Sequence, residues 1–116
     1  MDKAGDVFED AQHEVTLEHS LRALEKRFFK DIEPLKGIKL VRDVDFPARY
    51  LPEEKIIELH RNVAQFPKLS QFLIVHELIH HKLSLKSARH AEIPYSGAYR
   101  DEIRKLCNDD AYVALL

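Results

Sequence analysis

The sequence of 116 residues contains no tryptophan, one cysteine, three glycines and five prolines. A single cysteine cannot form an internal disulfide, which excludes the disulfide frameworks of small secreted proteins and favours a reducing, cytoplasmic location. No apolar run approaches the roughly 20 residues that a membrane-spanning helix needs. The amino-terminal residues MDKAGDVFEDAQ also lack the apolar stretch that is typical of a secretory signal. We therefore expect a cytoplasmic protein without a membrane segment.

An excess of one sign of charge is missing as well. The chain has 18 lysines and arginines against 20 aspartates and glutamates, which gives a net charge of −2 with both signs interspersed. Binding to nucleic acid or to an anionic membrane is therefore not expected. The composition, 45% hydrophobic and 33% charged, is that of an ordinary globular protein. The length predicts a single domain over residues 1–116 with a modest core.

Apolar residues recur at helical spacing in the first part of the chain and predict an N-terminal helix over about residues 6–32. Alternating, β-branched segments at residues 38–44, 48–51 and 55–60 predict three short strands. These strands are close together in the sequence. We therefore expect them to form a small antiparallel sheet.

Two more helices are predicted after the strands. Residues 69–85 form the first, and its early turns, Phe72 to Val75, are apolar all round, which indicates a buried helix. A loop is expected over residues 87–97, and the chain from Tyr99 onwards predicts a C-terminal helix. The predicted fold class is α+β: an N-terminal helix, a small antiparallel sheet, a buried helix and a C-terminal helix.

The buried helix carries the sequence HELIHH from His76 to His81. Such polar groups cost several kcal/mol to bury unless each has a partner. His76 and His80 are four residues apart and so lie one turn apart on one helix face, where two imidazoles can bind one Zn²⁺ at about 2.0–2.1 Å each. Glu77 projects to the side, where a carboxylate can take a proton from a zinc-bound water. A zinc ion would therefore explain polar residues in an apolar helix.

The segment FLIVHELIHHKL resembles the active-site helix of zincin metallopeptidases. The order of elements over about residues 36–116 is similar to minimal zincin domains of the ImmA/IrrE type. This resemblance implies a zinc peptidase in which His76 and His80 bind the metal and Glu77 activates a water molecule for hydrolysis of a peptide bond. In that family a later helix supplies an acidic third ligand just before an apolar run. The run at the end of this chain implies Asp109, although the family usually has glutamate there and continues further.

Two other residues compete with Asp109 for the third ligand position. Glu102 lies seven residues earlier on nearly the same helical face, and its separation from His80 is closer to that of gluzincins. His90 would instead fit SprT-like domains, in which a histidine ends the loop after the motif. Carboxylate and imidazole both bind zinc, so all three candidates stay open.

Two alternative functions also stay open. One is a zincin-fold module that binds metal or a partner without turnover, since a structural zinc contributes folding free energy. The other is a SprT-like, DNA-associated protease, which the net charge of −2 disfavours. For the peptidase we expect a specific protein or peptide substrate, extended along an edge of the sheet. We also expect a partner or a second subunit to cover the apolar C-terminal run.

The remaining candidates are expected to have structural roles. His81 lies about 100° round the helix from its neighbour and is expected at the helix edge or facing solvent. Cys107 is expected to be a small buried thiol. Tyr95, Tyr99 and Arg100 follow the motif helix and could stabilise an oxyanion, but packing of the aromatic rings and a surface position of the arginine are the more frequent roles.

Overall fold

The computed structural model describes residues 3–86 and 97–115, and within them it contains four α-helices and one three-stranded sheet. In chain order the elements are α1 (Lys3–Phe28), β1 (Gly37–Val41), β2 (Ala48–Leu51), β3 (Ile56–His60), a 3₁₀ turn (Val63–Gln65), α2 (Pro67–Lys86), α3 (Gly97–Cys107) and α4 (Asp110–Val113). The α+β class and the predicted order of elements are confirmed. In the described ranges, none of the helices combines the length and the apolar character needed to cross a bilayer.

The C-terminal helix is interrupted where the sequence predicts a continuous one. α3 ends at Cys107, and α4 begins after Asp109, whose carboxylate accepts a hydrogen bond from the backbone N–H of Ala111 at 2.9 Å. A residue that caps a helix start in this way has an extended backbone, as Asp109 does. The preceding helix therefore cannot continue through Asp109. The Cys107 thiol is exposed, so the expectation that it is buried is wrong.

The sheet is mixed, with the strand order β1-β3-β2. β3 lies in the middle, parallel to β1 and antiparallel to β2, so the prediction of an entirely antiparallel sheet is wrong. A tight turn joins β2 to β3, with the Lys55 N–H donating to the Leu51 carbonyl at 2.7 Å. The alternation of apolar residues along a strand indicates which side chains face the core. It does not indicate the order or the direction of the strands in the sheet.

One face of the sheet packs against α1 and α2, and the other carries charged residues. Ile57 of β3 lies level with Ile38 of β1 and with Tyr50 of β2, and all three belong to the apolar side. On the opposite side Glu58 of β3 lies between two basic residues of the flanking strands and pairs with Arg49. The helices therefore cover a single face, with α1 against β1 and α2 against β2.

Helix α2 is mostly buried between Ile74 and Leu83 but not in its first turns. Ile74, Leu78 and Ile79 are fully buried, whereas Phe72 is 50% exposed, so the prediction that these turns are buried all round is wrong. The polar Ser70 takes the inward position because its hydroxyl donates to the Val63 carbonyl at 2.8 Å. Val113, in the C-terminal run, is also exposed. That a partner or a second subunit covers the C-terminal run stays a prediction.

Asp10 fastens α1 to the ends of two strands. Its carboxylate accepts hydrogen bonds from Arg42 Nη2 at 2.8 Å and from Arg61 Nε at 2.6 Å, and these arginines directly follow β1 and β3. Burial by itself would raise the pKa of Asp10, but the hydrogen bonds and charges of the two arginines outweigh it and hold the pKa below 3.8. The ionised carboxylate therefore stabilises the folded state.

We predict that Asp10→Asn lowers the free energy of unfolding by about 1 kcal/mol at pH 7. The stabilisation by Asp10 is present above its unfolded pKa and is lost as the pH falls through the lower folded pKa. The difference between the variant and the wild type should therefore shrink below about pH 4 in urea-denaturation measurements. Glu9→Gln is the control, because Glu9 is exposed and lies 3.6 Å from Arg61. A difference in unfolding free energy between Asp10→Asn and the wild type that grows as the pH falls would contradict this interpretation.

Candidate metal site on helix α2

His76 and His80 point their Nε2 atoms at each other. These two nitrogens lie 3.1 Å apart, with ring centroids 4.7 Å apart and planes inclined at 71°. Two nitrogens that share one tetrahedral zinc, each at about 2.0–2.1 Å, would be separated by about 3.3 Å. The pair thus brings two nitrogen ligands to nearly the spacing that one metal ion needs.

The imidazole of His76 is held in the neutral form. Burial, together with the nearby ring of His80, lowers the pKa of His76 to about 4. A neutral imidazole keeps a lone pair on one nitrogen, and this is the form that binds metals. At neutral pH no proton has to leave His76 before a metal can bind.

Glu77 lies beside the histidine pair and is buried. Its Oε1 is 3.7 Å from His76 Nε2, and its carboxylate accepts a hydrogen bond from the backbone N–H of Tyr50 in β2. Burial raises the pKa of Glu77 to about 7, although the hydrogen bond from Tyr50 acts in the opposite direction. A carboxyl group with a pKa near neutrality can both accept and return a proton, as a general acid–base catalyst must.

Tyr99 of α3 contacts both histidines. Its hydroxyl lies 2.6 Å from His76 Nδ1, and its ring stacks on His80 at a centroid distance of 5.5 Å and 27° between planes. The side chain is only 5% exposed, as expected of a packed aromatic residue. Arg100 is exposed, and Tyr95 lies outside the described residues. The sequence gives no signal for the contact of Tyr99 with His76, because 23 residues separate them.

His81 is fully buried, so the expectation that it faces solvent or the helix edge is wrong. Its Nε2 lies 2.6 Å from the Glu33 carbonyl, which can only accept, so Nε2 carries the proton. Its Nδ1 therefore accepts from the Tyr50 hydroxyl at 2.8 Å. His81 thus ties α2 both to β2, the strand that binds Glu77, and to the connection between α1 and β1.

The described residues do not supply a complete ligand set: within 3–86 and 97–115 no three His, Cys, Asp or Glu side chains form a group that could hold a metal. The Asp109 carboxylate is exposed and caps α4. Glu102 is buried and binds Lys82 at 2.8 Å and Lys105 at 3.2 Å. His90 lies outside the described residues. The identity of the third ligand stays a prediction.

The charge state of Glu102 follows from its two lysines. Burial alone would raise the pKa of Glu102, but hydrogen bonds and charges from Lys82 and Lys105 outweigh it and lower the pKa. Glu102 is therefore a carboxylate at neutral pH, which is the form that can bind a metal. It would have to leave these lysines to do so.

We predict that His81→Leu lowers the free energy of unfolding by about 1–3 kcal/mol, because it removes the hydrogen bonds of a fully buried ring to the Tyr50 hydroxyl and the Glu33 carbonyl. The measurement is urea denaturation in the presence of a chelator, so that metal binding does not contribute. Ser84→Ala is the control. Ser84 lies 3.2 Å from the same Tyr50 hydroxyl, but its own bond is a local one to the His81 carbonyl. Wild-type stability in His81→Leu would show that the network is dispensable.

No protein-family model matches the sequence, and no curated protein is significantly similar to it. Among solved structures, the chain is similar to the crystal structure of the metallopeptidase zymogen of Methanocaldococcus jannaschii jannalysin. The TM-score is 0.58 at 16% sequence identity, and the similarity covers 84% of this chain and 86% of that chain. At this identity the similarity concerns the fold, and membership of the ImmA/IrrE-type or SprT-like families stays a prediction. The chain therefore has the fold of a small metallopeptidase.

Proposed function

We propose that the protein is a zinc-dependent peptidase that hydrolyses peptide bonds in a specific protein or peptide. The observation that carries this proposal is the arrangement on α2. Nε2 of His76 and Nε2 of His80 are 3.1 Å apart, and the Glu77 carboxylate lies 3.7 Å from the first of them. The fold shared with a metallopeptidase supports the proposal. The H-E-x-x-H spacing on a helix is the one that zinc metallopeptidases use.

The chemistry divides between the metal and Glu77. His76 and His80 would hold the zinc, which would supply a Lewis acid and make water a stronger nucleophile at neutral pH. Glu77 would accept a proton from a water molecule as the water attacks the carbonyl carbon of the scissile bond. Glu77 then returns this proton to the amide nitrogen, which leaves as an amine. Glu77 is placed for both transfers beside the histidine pair, with Oε1 3.7 Å from His76 Nε2.

The edge strand β2 is the proposed binding surface for the substrate. Within the described residues, β2 pairs with β3 on one side only. The His60 N–H donates to the Pro47 carbonyl at 2.8 Å, and the alternation of an antiparallel ladder then turns the backbone groups of Tyr50 towards the open edge. Since Glu77 binds the Tyr50 N–H, a peptide that adds to this edge would pass close to Glu77.

The third ligand is proposed to be a carboxylate. Asp109 leads on the resemblance to the ImmA/IrrE type, although it would have to give up its cap on Ala111. Glu102 is supported by its place on α3, the helix whose Tyr99 contacts both histidines. His90 remains the alternative and would point to a SprT-like arrangement. A cytoplasmic location also stays part of the proposal.

A second candidate is a metal-binding module without turnover. It requires the close pair of imidazoles on α2 but no particular position for Glu77. In such a module zinc would serve stability and Glu77 would have no chemical role. Cleavage activity separates the two candidates.

We predict that the wild type binds one zinc ion and cleaves peptides, and that Glu77→Gln keeps the zinc but loses about 10²–10⁴-fold in cleavage rate. His76→Ala and His80→Ala should lose both properties. Zinc is measured by elemental analysis, and cleavage by mass spectrometry of a mixed peptide library. Glu54→Gln, an exposed change in the β2–β3 turn, is the control. Zinc binding without any cleavage by the wild type would favour the module.

We predict that one of the two variants Asp109→Ala and Glu102→Ala weakens zinc binding by about 10²-fold or more, and that the other does not. The affected variant is the one in which the zinc site loses a protein ligand. His90→Ala should bind zinc as the wild type does. The readout is competition with a chromophoric chelator. If only His90→Ala loses affinity, the carboxylate proposal is wrong and a SprT-like site is favoured.

A further inference from the structure

We propose that Tyr99 is the positioning residue of the metal site, which rests on the zinc-binding part of the proposed function. Its hydroxyl holds the His76 ring from the side opposite the metal position, so that Nε2 faces the Nε2 of His80. The juxtaposition that carries this inference is a buried phenol from α3 in contact with both imidazoles of α2.

The two ring nitrogens of His76 have different neighbours and therefore different roles. Nδ1 lies 2.6 Å from the Tyr99 hydroxyl, and Nε2 lies 3.1 Å from His80 Nε2. Because the two nitrogens point to different sides of the ring, a hydrogen bond at Nδ1 fixes the rotation of the ring and therefore the direction of Nε2. An imidazole that binds a metal through Nε2 carries its proton on Nδ1, and here that proton would be donated to the Tyr99 oxygen.

The ring of Tyr99 constrains the second histidine too. It stacks on His80 at 27° and lies at a centroid distance of 4.9 Å from His76. Since Tyr99 is only 5% exposed, water has little access to the hydrogen bond at His76 Nδ1. A single side chain of α3 therefore orients both predicted ligands and shields one of them.

The position of the hydroxyl decides between positioning and direct catalysis. A group that stabilises an oxyanion has to lie on the side of the pair where the reacting carbonyl would sit. The Tyr99 hydroxyl is bound to Nδ1, the nitrogen away from His80, whereas Glu77 Oε1 lies 3.7 Å from Nε2. Tyr99 is thus placed behind the site, and Glu77 is placed beside it.

The test is the zinc affinity of Tyr99→Phe, which removes the hydroxyl and keeps the ring. Loss of such an outer hydrogen bond typically weakens metal binding by about 10–100-fold. Tyr112→Phe is the matched control, because Tyr112 is an equally buried tyrosine that packs edge-on against Phe28. Affinities are measured for zinc alone by competition with a chromophoric chelator, and unfolding free energies are measured without metal.

A second readout follows the His76 ring directly. Long-range ¹H–¹⁵N NMR of the zinc-loaded wild type should show His76 protonated on Nδ1, with slow solvent exchange of that proton. In Tyr99→Phe the exchange should become fast, because the hydrogen-bond acceptor is gone. A purely structural effect of the substitution would lower the unfolding free energy without changing the exchange of this proton.

The outcomes distinguish this inference from the proposed function. If the wild type binds zinc and Tyr99→Phe binds it equally well, the positioning role is refuted and the peptidase proposal stands. Equal weakening in Tyr99→Phe and Tyr112→Phe also refutes it, since general packing would then be the cause. If zinc binds, Tyr99→Phe alone weakens it and no peptide is cleaved, the positioning role stands and the peptidase proposal fails. A wild type that binds no zinc overturns both.

Discussion

Burial of imidazoles in helix α2 is the constraint on which the rest of the structure depends. A buried polar ring is costly unless its nitrogens have partners, and α2 places three such rings, His76, His80 and His81, in or near the core. Hydrogen-bond partners of His76 and His81 come from across the fold: Tyr99 of α3, Tyr50 of β2 and the carbonyl of Glu33. Secondary structures far apart in the chain are therefore held together by the polar side of one helix.

The same arrangement links the sheet to the candidate site. Tyr50 contributes twice, because its hydroxyl donates to His81 and its backbone N–H binds Glu77. The strand that could receive an extended peptide is thereby fixed against the helix that carries the predicted catalytic carboxylate. Stability and chemistry share these contacts, so a change at His81 is expected to affect the position of Glu77 as well as the free energy of unfolding.

The sequence predicts those features that depend on local spacing. The spacing of four positions from His76 to His80 places both on one helix face, and the structure brings their Nε2 atoms together. Features that depend on distant contacts were missed. The burial of His81 depends on Tyr50 and Glu33, 31 and 48 residues away, and the parallel pairing of β1 with β3 depends on the path of the chain between them. Phe72 is exposed although its hydrophobicity predicts burial. Ser70 takes the inward position instead, because its hydroxyl donates to the Val63 carbonyl.

The most direct test of the central claim is X-ray absorption at the zinc edge of the reconstituted protein. We expect two imidazole nitrogens at about 2.0–2.1 Å together with oxygen ligands in the wild type, and no bound zinc in His80→Ala. A spectrum dominated by sulfur at about 2.3 Å would indicate binding at the exposed Cys107 instead. That result, or the failure of zinc to bind at all, would contradict a metal site on α2.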